Sequence, residues 1–310
     1  MSDAILRAEA ILRAACGDRV RSRFPMAPLT TFRIGGPAAL YLEPESERDL
    51  VASGRAVAET GLPFVVVGKG SNILVSDLGF PGLVLRLGKG FRWTAREGSR
   101  LAAGGAMPFP ALSGVALRHA LTGLEFGIAI PATVGGAVRM NAGAHGHETA
   151  EVLDRIEVFR LREGRTIRLR AAEAGFAYRR SKLPEDGVVV SASVALAPGR
   201  LEQIRAEMDE VRDWRRRTQP LAEPNCGSVF MNPAGAHAAR LIEEAGLKGL
   251  ALGTASVSIK HANFIVASAG ATAADVVALI GQVQRTVEER TGTRLEPEVQ
   301  LVGEFDHAPR

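Results

Sequence analysis

The sequence predicts an α+β protein of two or three packed units, and three observations predict it. Its 310 residues exceed the usual size of one domain, with 46% hydrophobic and 23% charged residues, as in a globular chain. Helical periodicity at both ends flanks a middle stretch of short strands and polar turns. The 34 glycines gather in a few stretches without a repeat, which excludes collagen-like and low-complexity chains and points to backbone-lined sites.

At the N-terminus, Ser2-Asp3 followed by Ile5, Ala8, Leu12 and Ala15 at three-to-four spacing predicts an amphipathic helix ending near Gly17. Ala39 to Leu42 is strand-like, and Ser46 with Asp49 forms a capping-box start to a helix running toward Gly61, so a βαβ opening is implied. Phe64 to Val67 is short, apolar and β-branched, as expected of a buried strand, and it breaks into Gly68-Lys69-Gly70-Ser71-Asn72. From Gly82 to Leu196 short strands alternate with turns; Ile156 to Leu161 and Ile167 to Leu169 flank the turn at Glu163-Gly164. Leu201 to Arg217 is helical by periodicity and is stopped by Gln219-Pro220. Further helices are expected near His237 to Ala245 and from Thr272 to Glu289, the latter opened by a second capping box of Thr272 and Asp275. The clearest shift in composition lies near Gly199, which gives expected subdomains of 1–85, 86–199 and 200–310.

Several function classes are disfavoured. Net charge is +4, with a pI near 9.4, so nucleic-acid binding would need a concentrated basic face. The one dense run, Arg215-Arg216-Arg217, follows Val211 and Trp214 at helical spacing and reads as a solvated helix end. Cys16 and Cys226 form no CxxC or zinc spacing, which argues for a reducing cytoplasm. The first helix lacks the apolar core of a signal peptide, and no segment approaches the roughly 20 apolar residues of a membrane span. His145 and His147 lie two apart with no accompanying carboxylate or cysteine cluster, so no metal is expected.

Two glycine-rich stretches carry the chemical signal. In Gly68-Lys69-Gly70-Ser71-Asn72-Ile73-Leu74, glycines allow backbone to approach an anion, consecutive N–H groups suit a pyrophosphate, and Ser71 and Asn72 add hydrogen bonds. The spacing is neither a Walker A nor GxGxxG. The second stretch runs from Gly127 to Gly146, and its small side chains suit a surface lying against a flat ligand or a pyrophosphate.

At these residues the chain resembles a known family. Thr30-Thr31-Phe32-Arg33-Ile34-Gly35-Gly36, the loop 68–74 and the run 130–146 together are similar to the FAD-binding part of the UDP-N-acetylenolpyruvoylglucosamine reductases (MurB), within the vanillyl-alcohol-oxidase (PCMH) type of flavoprotein fold. The resemblance extends from about residue 27 to 303. It implies a two-part FAD-binding region followed by a C-terminal α+β substrate-binding domain. It also implies non-covalent FAD held by Arg33, Gly68, Lys69, Gly70, Ser71, Asn72, Pro131, Thr133, Gly135, Gly136, Asn141 and Gly143. NADPH is the implied hydride donor, UDP-N-acetylglucosamine enolpyruvate the substrate, and a cytoplasmic monomer without nucleic-acid or membrane partners the expected state.

Three local motifs carry catalytic roles across. Tyr178-Arg179-Arg180-Ser181 resembles the family's YRxS and makes Arg179 the matching arginine; residues 227–233 resemble GSxFxNP and make Ser228 the proton donor. Leu295-Glu296-Pro297-Glu298-Val299 resembles the carboxylate motif, with Glu298 the match and Glu296 the fallback. The chemistry independently wants such a trio. An enol ether is electron-rich, so hydride addition needs a cation and a hydrogen-bond donor to draw charge into the attached carboxylate, followed by proton delivery to the adjacent carbon. Tyr178, Asn232 and Asn263 are the expected substrate contacts, with loop-fixing as the other reading of the two asparagines. The chain departs from the family pattern at Met231, where a basic residue is common, at Ala132, where glycine is usual, and at His145, where tyrosine is common. The spacing of Arg179 and Ser228 matches the shorter type, which lacks an inserted substrate-covering loop. The other readings are a flavin oxidase or dehydrogenase of the same fold and a flavin- or nucleotide-binding protein that has lost catalysis.

Overall fold

The computed structural model describes residues 2–305; Met1 and residues 306–310, the outermost positions of the first and third expected subdomains, lie outside them. The chain divides into two units, one of Met1–Arg23, Ala39–Lys69 and Gly82–Trp214, the other of Phe24–Ala38, Gly70–Pro81 and Arg215–Arg310. The grouping is thus interleaved where three consecutive subdomains were expected. Segments 24–38 and 70–81 join the C-terminal third because their apolar side chains Phe32, Ile34 and Leu74 are buried in the same core as Phe230, Ile242 and Ile280. Local composition carries no trace of such a distant pairing.

The first unit has two cores. Helix α1, Asp3–Cys16, begins with Ser2 capping the Ile5 N–H and ends at Gly17 in positive φ. Its buried face is Ile5, Ala8, Leu12 and Cys16; Cys16 takes the fourth place expected of Ala15, which is exposed. Helix α2, Glu47–Thr60, shows the full capping box of Ser46 and Asp49 and stops at Gly61 in the left-handed region. Leu12, Leu40, Leu50 and Leu85 share the first core. A four-stranded sheet has the order Arg21–Pro25, Pro37–Leu42, Phe80–Leu85, Phe64–Val66. The last strand, expected to be buried, leaves Val66 37% exposed because it sits at the sheet edge.

The second core lies against a five-stranded antiparallel sheet in the order Arg165–Arg170, Leu153–Arg160, Gly187–Ala195, Arg100–Gly104, Thr94–Glu97. The expected hairpin is its first pair, with Ile156 opposite Leu169 and Phe159 opposite Thr166. Helices α3 (Phe109–Arg118), α4 (Val134–Arg139) and α5 (Thr149–Val152) follow, and Phe109, Val134 and Ile156 belong to this core. Helix α6, Leu201–Thr218, ends with Arg216 and Arg217 exposed.

The second unit contains helix α7 (Ala238–Glu244), a three-stranded antiparallel sheet (Ala251–Leu252, Ala255–Val257, Ile265–Ala267) and helix α8 (Ala273–Thr291). Six buried branched residues of α8, Val276, Val277, Leu279, Ile280, Val283 and Val287, fix it in the core, each contributing roughly 1.5–3 kcal/mol by burial. Thr272 caps the Asp275 N–H as expected, but the Asp275 carboxylate turns to Thr254 N and Oγ1. The first two helical donors, Ala273 N and Ala274 N, reach the two oxygens of Asp77 at 2.8 and 3.1 Å. Gln300–Val302 pairs in parallel with Ile73–Val75. Among the described residues no helix is long and apolar enough to cross a membrane.

Candidate functional site

The loop 68–74 straddles the division between the units, which falls after Lys69. Among the described residues, the backbone N–H groups of Gly68, Lys69, Gly70, Ser71 and Asn72 donate to no protein acceptor. A run of unsatisfied donors is what an anion requires. Gly70 must be glycine for two reasons: its φ is +65°, and a Cβ would overlap the Leu29 carbonyl oxygen. Thr31 fixes it there, donating to the Gly70 carbonyl from both N (3.0 Å) and Oγ1 (3.3 Å). The TTFRIGG stretch thus buttresses the glycine loop from within the second unit, with Arg33 exposed at φ +58° beside it.

In the first unit the two glycine stretches meet, since a Cβ on Gly68 would press on Thr133 Oγ1. Thr133 caps the Gly136 N–H at 3.2 Å, while Val134 N and Gly135 N donate to the Met107 and Gly105 carbonyls. These donors are engaged by the protein, which leaves the flat-ligand role and removes the pyrophosphate role from this turn. Gly136 has no positive φ and would meet only ordinary contacts if it bore a Cβ. Neither backbone nor packing therefore explains its glycine. Pro131 is exposed next to it, and Ala132 avoids positive φ, so alanine substitutes for the usual glycine without strain. A flat small-residue surface and a row of unclaimed N–H groups fit a flavin dinucleotide.

Tyr178 and Arg179 occupy the tip of a turn in which Ala177 and Arg180 exchange two 3.0 Å backbone hydrogen bonds. Arg179 has φ +56°, the second-position conformation that ordinarily selects glycine or asparagine. Its side chain is 17% exposed; Nη2 donates to the Gly143 carbonyl at 3.0 Å, Nη1 lies 3.6 Å from Glu148 Oε1, and the guanidinium covers the Tyr178 ring at 4.7 Å. Tyr178 itself is exposed. Asn141, 1% exposed, reaches Glu148 Oε2 (2.7 Å) and the Ala177 carbonyl (3.0 Å), and its Oδ1 accepts from Ala150 N. The Asn141 side chain therefore shapes the turn below Arg179. His145 packs edge-on against Trp214 of α6, with ring centroids 4.9 Å apart.

The second unit brings Ser228 and Glu298 onto neighbouring extended segments. Phe230 bridges Pro297 in antiparallel fashion, Glu298 N donates to the Val229 carbonyl at 2.7 Å, and Met231 N to the Glu296 carbonyl. Asn72 ties the glycine loop to the same segment, its Nδ2 reaching the Glu298 carbonyl at 3.1 Å. Glu298 is half-buried and close enough to fully buried Cys226 to reinforce the rise in that thiol's pKa that burial begins. Glu296 is exposed, so the two candidates differ in environment. Among the described residues Ser228 Oγ has no protein hydrogen-bond partner, which leaves its hydroxyl available to a ligand. Asn263, 4% exposed, holds the Phe230 backbone through both ends of its amide, and Asn232 Oδ1 accepts from Ala238 N at the start of α7. Both asparagines fill the loop-fixing role that was the alternative to substrate contact.

Arg179 belongs to the first unit, Ser228 and Glu298 to the second. Sequence reasoning missed Glu148, Asp77 and Trp214, none of which stands in a spacing that announces a partner. It also missed the left-handed backbone shared by Arg33, Asn141, His145 and Arg179. Among the described residues other than glycine, Arg23 and Ala120 share that region.

Comparison with known proteins was made against this geometry. Residues 38–170 match a family described as an FAD binding domain, and residues 219–302 match the C-terminal domain of UDP-N-acetylenolpyruvoylglucosamine reductase. The UDP-N-acetylenolpyruvoylglucosamine reductase of Heliobacterium modesticaldum is 47% identical over 282 residues, 90% of each chain. That of Halalkalibacterium halodurans is 42% identical over 294 residues, 94% of this chain and 97% of the relative. The crystal structure of UDP-N-acetylenolpyruvylglucosamine reductase (MurB) from Thermus caldophilus is similar with a TM-score of 0.79 at 38% identity, covering 91% of this chain and 98% of that one.

Proposed function

Since the chain belongs to the UDP-N-acetylenolpyruvoylglucosamine reductase (MurB) family, we propose that it reduces the enolpyruvyl ether of UDP-N-acetylglucosamine to the lactyl ether, UDP-N-acetylmuramate, for peptidoglycan synthesis. The observation that carries this reading is near-full-length identity of 47% to a protein of that name. The enzyme is a flavin-dependent oxidoreductase that takes FAD without a covalent bond and NADPH as reductant. When bound, FAD relays hydride from NADPH to the terminal carbon of the enolpyruvyl group.

The chain's own residues handle charge and protons. Arg179, with its planar fork, stabilises the negative charge that develops on the substrate carboxylate. Glu298, in its protonated form, donates a hydrogen bond to the same oxygens. Ser228 delivers a proton to the carbon next to the carboxylate, a role that its unclaimed hydroxyl suits and that needs preorganised neighbours because serine is a weak acid. The N–H groups of residues 68–72 would hold the pyrophosphate, with Ser71 adding its hydroxyl, and Gly135, Gly136 and Pro131 would line the flat ring system. Lys69, exposed at the loop tip, contributes charge. The protein works as a monomer in the cytoplasm, where NADPH and nucleotide sugars are made.

The test is anaerobic. The holoenzyme's flavin is reduced with NADPH, UDP-N-acetylglucosamine enolpyruvate is added, and the oxidised flavin spectrum is followed. Rapid reoxidation with formation of the lactyl ether is expected. A flavin that NADPH reduces but the enolpyruvyl sugar leaves reduced overturns the substrate assignment and brings forward oxidation of an alcohol or hydroxy acid.

A further inference from the structure

Resting on the role given to Arg179 above, we propose that Glu148 is a positioning residue that sets the Arg179 guanidinium for the reductive chemistry. Glu148 and Gly143 are directly paired across a two-stranded antiparallel ribbon, Gly143–Ala144 with His147–Glu148. The Gly143 carbonyl accepts from Arg179 Nη2, and the Glu148 carboxylate lies 3.6 Å from Nη1. Opposite strands of one small ribbon therefore address the two arms of the same fork. The carboxylate's second oxygen accepts from Asn141 Nδ2 at 2.7 Å, and that same amide nitrogen donates to Ala177 O, the first residue of the Arg179 turn. Side chain and backbone of Arg179 are thus both referenced to one carboxylate.

The carboxylate is itself fixed. The Glu148 N–H donates to Glu151 Oε1 at 3.0 Å, and Asn141 is anchored by Ala150 N and by burial. Such a support matters because an arginine side chain has about 2 kcal/mol of rotamer entropy to lose, and a displacement of about 1 Å at a reacting centre costs up to roughly 100-fold in rate. At 3.6 Å the oxygen acts on the guanidinium by charge more than by a strong hydrogen bond, so it aims the fork without neutralising it. Nothing in the sequence motif YRRS requires a partner at Glu148.

The experiment is a double-mutant cycle on the full-length holoenzyme, with wild type, Glu148→Gln, Arg179→Ala and the double variant. Four quantities are read: FAD occupancy, melting temperature, the rate of flavin reduction by NADPH, and the rate of reoxidation by UDP-N-acetylglucosamine enolpyruvate. Glutamine keeps an acceptor for Asn141 but removes the charge facing Arg179. Glu148→Gln is expected to leave occupancy and flavin reduction within about twofold of wild type and to slow reoxidation roughly 10–100-fold. In the Arg179→Ala background the same change should have no further effect. Glu148→Asp, charged but one methylene short, should lie between wild type and Glu148→Gln, and it serves if Gln folds poorly. The proposal fails if Glu148→Gln slows both half-reactions alike, if it still slows reoxidation without Arg179, or if reoxidation is unchanged while Arg179→Ala impairs it. If Arg179→Ala itself reoxidises normally, the Arg179 assignment fails first and this inference falls with it.

Discussion

Glycine and alanine at position 179 separate what Arg179 does for chemistry from what its backbone costs the fold. Both variants lose the 3.0 Å bond to Gly143, the 3.6 Å ion pair with Glu148 and the stacking on Tyr178. They differ in the left-handed backbone, which costs a residue bearing a Cβ about 1–2 kcal/mol and glycine nothing. Glycine gives back about 0.4–1 kcal/mol through its freer unfolded chain, so the difference should settle at about 0.5–1 kcal/mol in favour of Arg179→Gly. At about 2–4 °C per kcal/mol, Arg179→Gly should melt about 1–4 °C above Arg179→Ala when both holoproteins are scanned at one rate. Anaerobic stopped-flow should show both variants reducing flavin normally and reoxidising with the substrate at the same rate, slowed roughly 100–1,000-fold as for loss of a charge-stabilising donor. An alanine variant as stable as the glycine variant refutes the strained turn. Unimpaired reoxidation in either refutes the role of the guanidinium.

Other consequences can be tested with the same protein. Ser228→Ala should keep flavin reduction by NADPH and slow reoxidation by about two orders of magnitude or more, and equal losses in both half-reactions would identify a folding or cofactor defect. Asp77→Ala should destabilise the protein by about 1 kcal/mol, read by denaturant midpoint, because Ala273 N and Ala274 N lose their acceptor at the start of α8. Hydrogen bonds from Arg19 hold the buried Asp49 carboxyl well below the usual carboxylate range. Its stabilisation is therefore complete above the unfolded value near about pH 4 and is lost as pH falls through the folded value, so the melting difference between wild type and Asp49→Asn should shrink below about pH 4. A difference that grows on acidification would refute that sign. Burial, aided by Asp49, pushes the Cys16 thiol up to about 11, and burial raises Cys226 as well, so neither should react with iodoacetamide at pH 8 in the native state, while both should in denaturant.

The helices were legible because their ends carry local chemistry. Ser46 with Asp49, and Gly61 after Thr60, specify α2 from within a few residues, and the structure shows the cap and the left-handed stop. Where a partner came from far away, the reading failed. Thr272 caps Asp275 N as the spacing predicts, but that the Asp275 carboxylate also serves Thr254, and that Asp77, nearly 200 positions earlier, accepts from Ala273 N and Ala274 N, could not be read. The run at Phe64 was read as buried from composition, but whether an apolar strand is central or at an edge depends on which strands join later. The same limit applies to segments 24–38 and 70–81, whose three large apolar residues choose their core by tertiary contact. Motif recognition fared differently: Gly70, Arg179, Ser228 and Glu298 could be singled out from three short motifs and one loop, whereas Glu148, just past the end of the run 130–146, could not.

Left-handed backbone recurs at several candidate site residues. Arg33, His145 and Arg179 each hold a conformation that a free chain would disfavour by about 1–2 kcal/mol, and Asn141 holds it at lower cost. A turn under that load relaxes unless other contacts fix it, and at Asn141 and Arg179 those contacts are visible as one shared carboxylate. Preorganisation of a cation on such a turn has a chemical reason. In the proposed reaction the enolate charge exists only in the course of reaction, so a guanidinium that had to be gathered into place at that moment would forfeit most of its stabilising effect. A strained, clamped arginine meets the charge already oriented, and its strain belongs to the folded protein in every state of the catalytic cycle. On that proposal the rate depends on Glu148 and Asn141 only through the placement of Arg179, which is why their effect should vanish once the Arg179 guanidinium is gone.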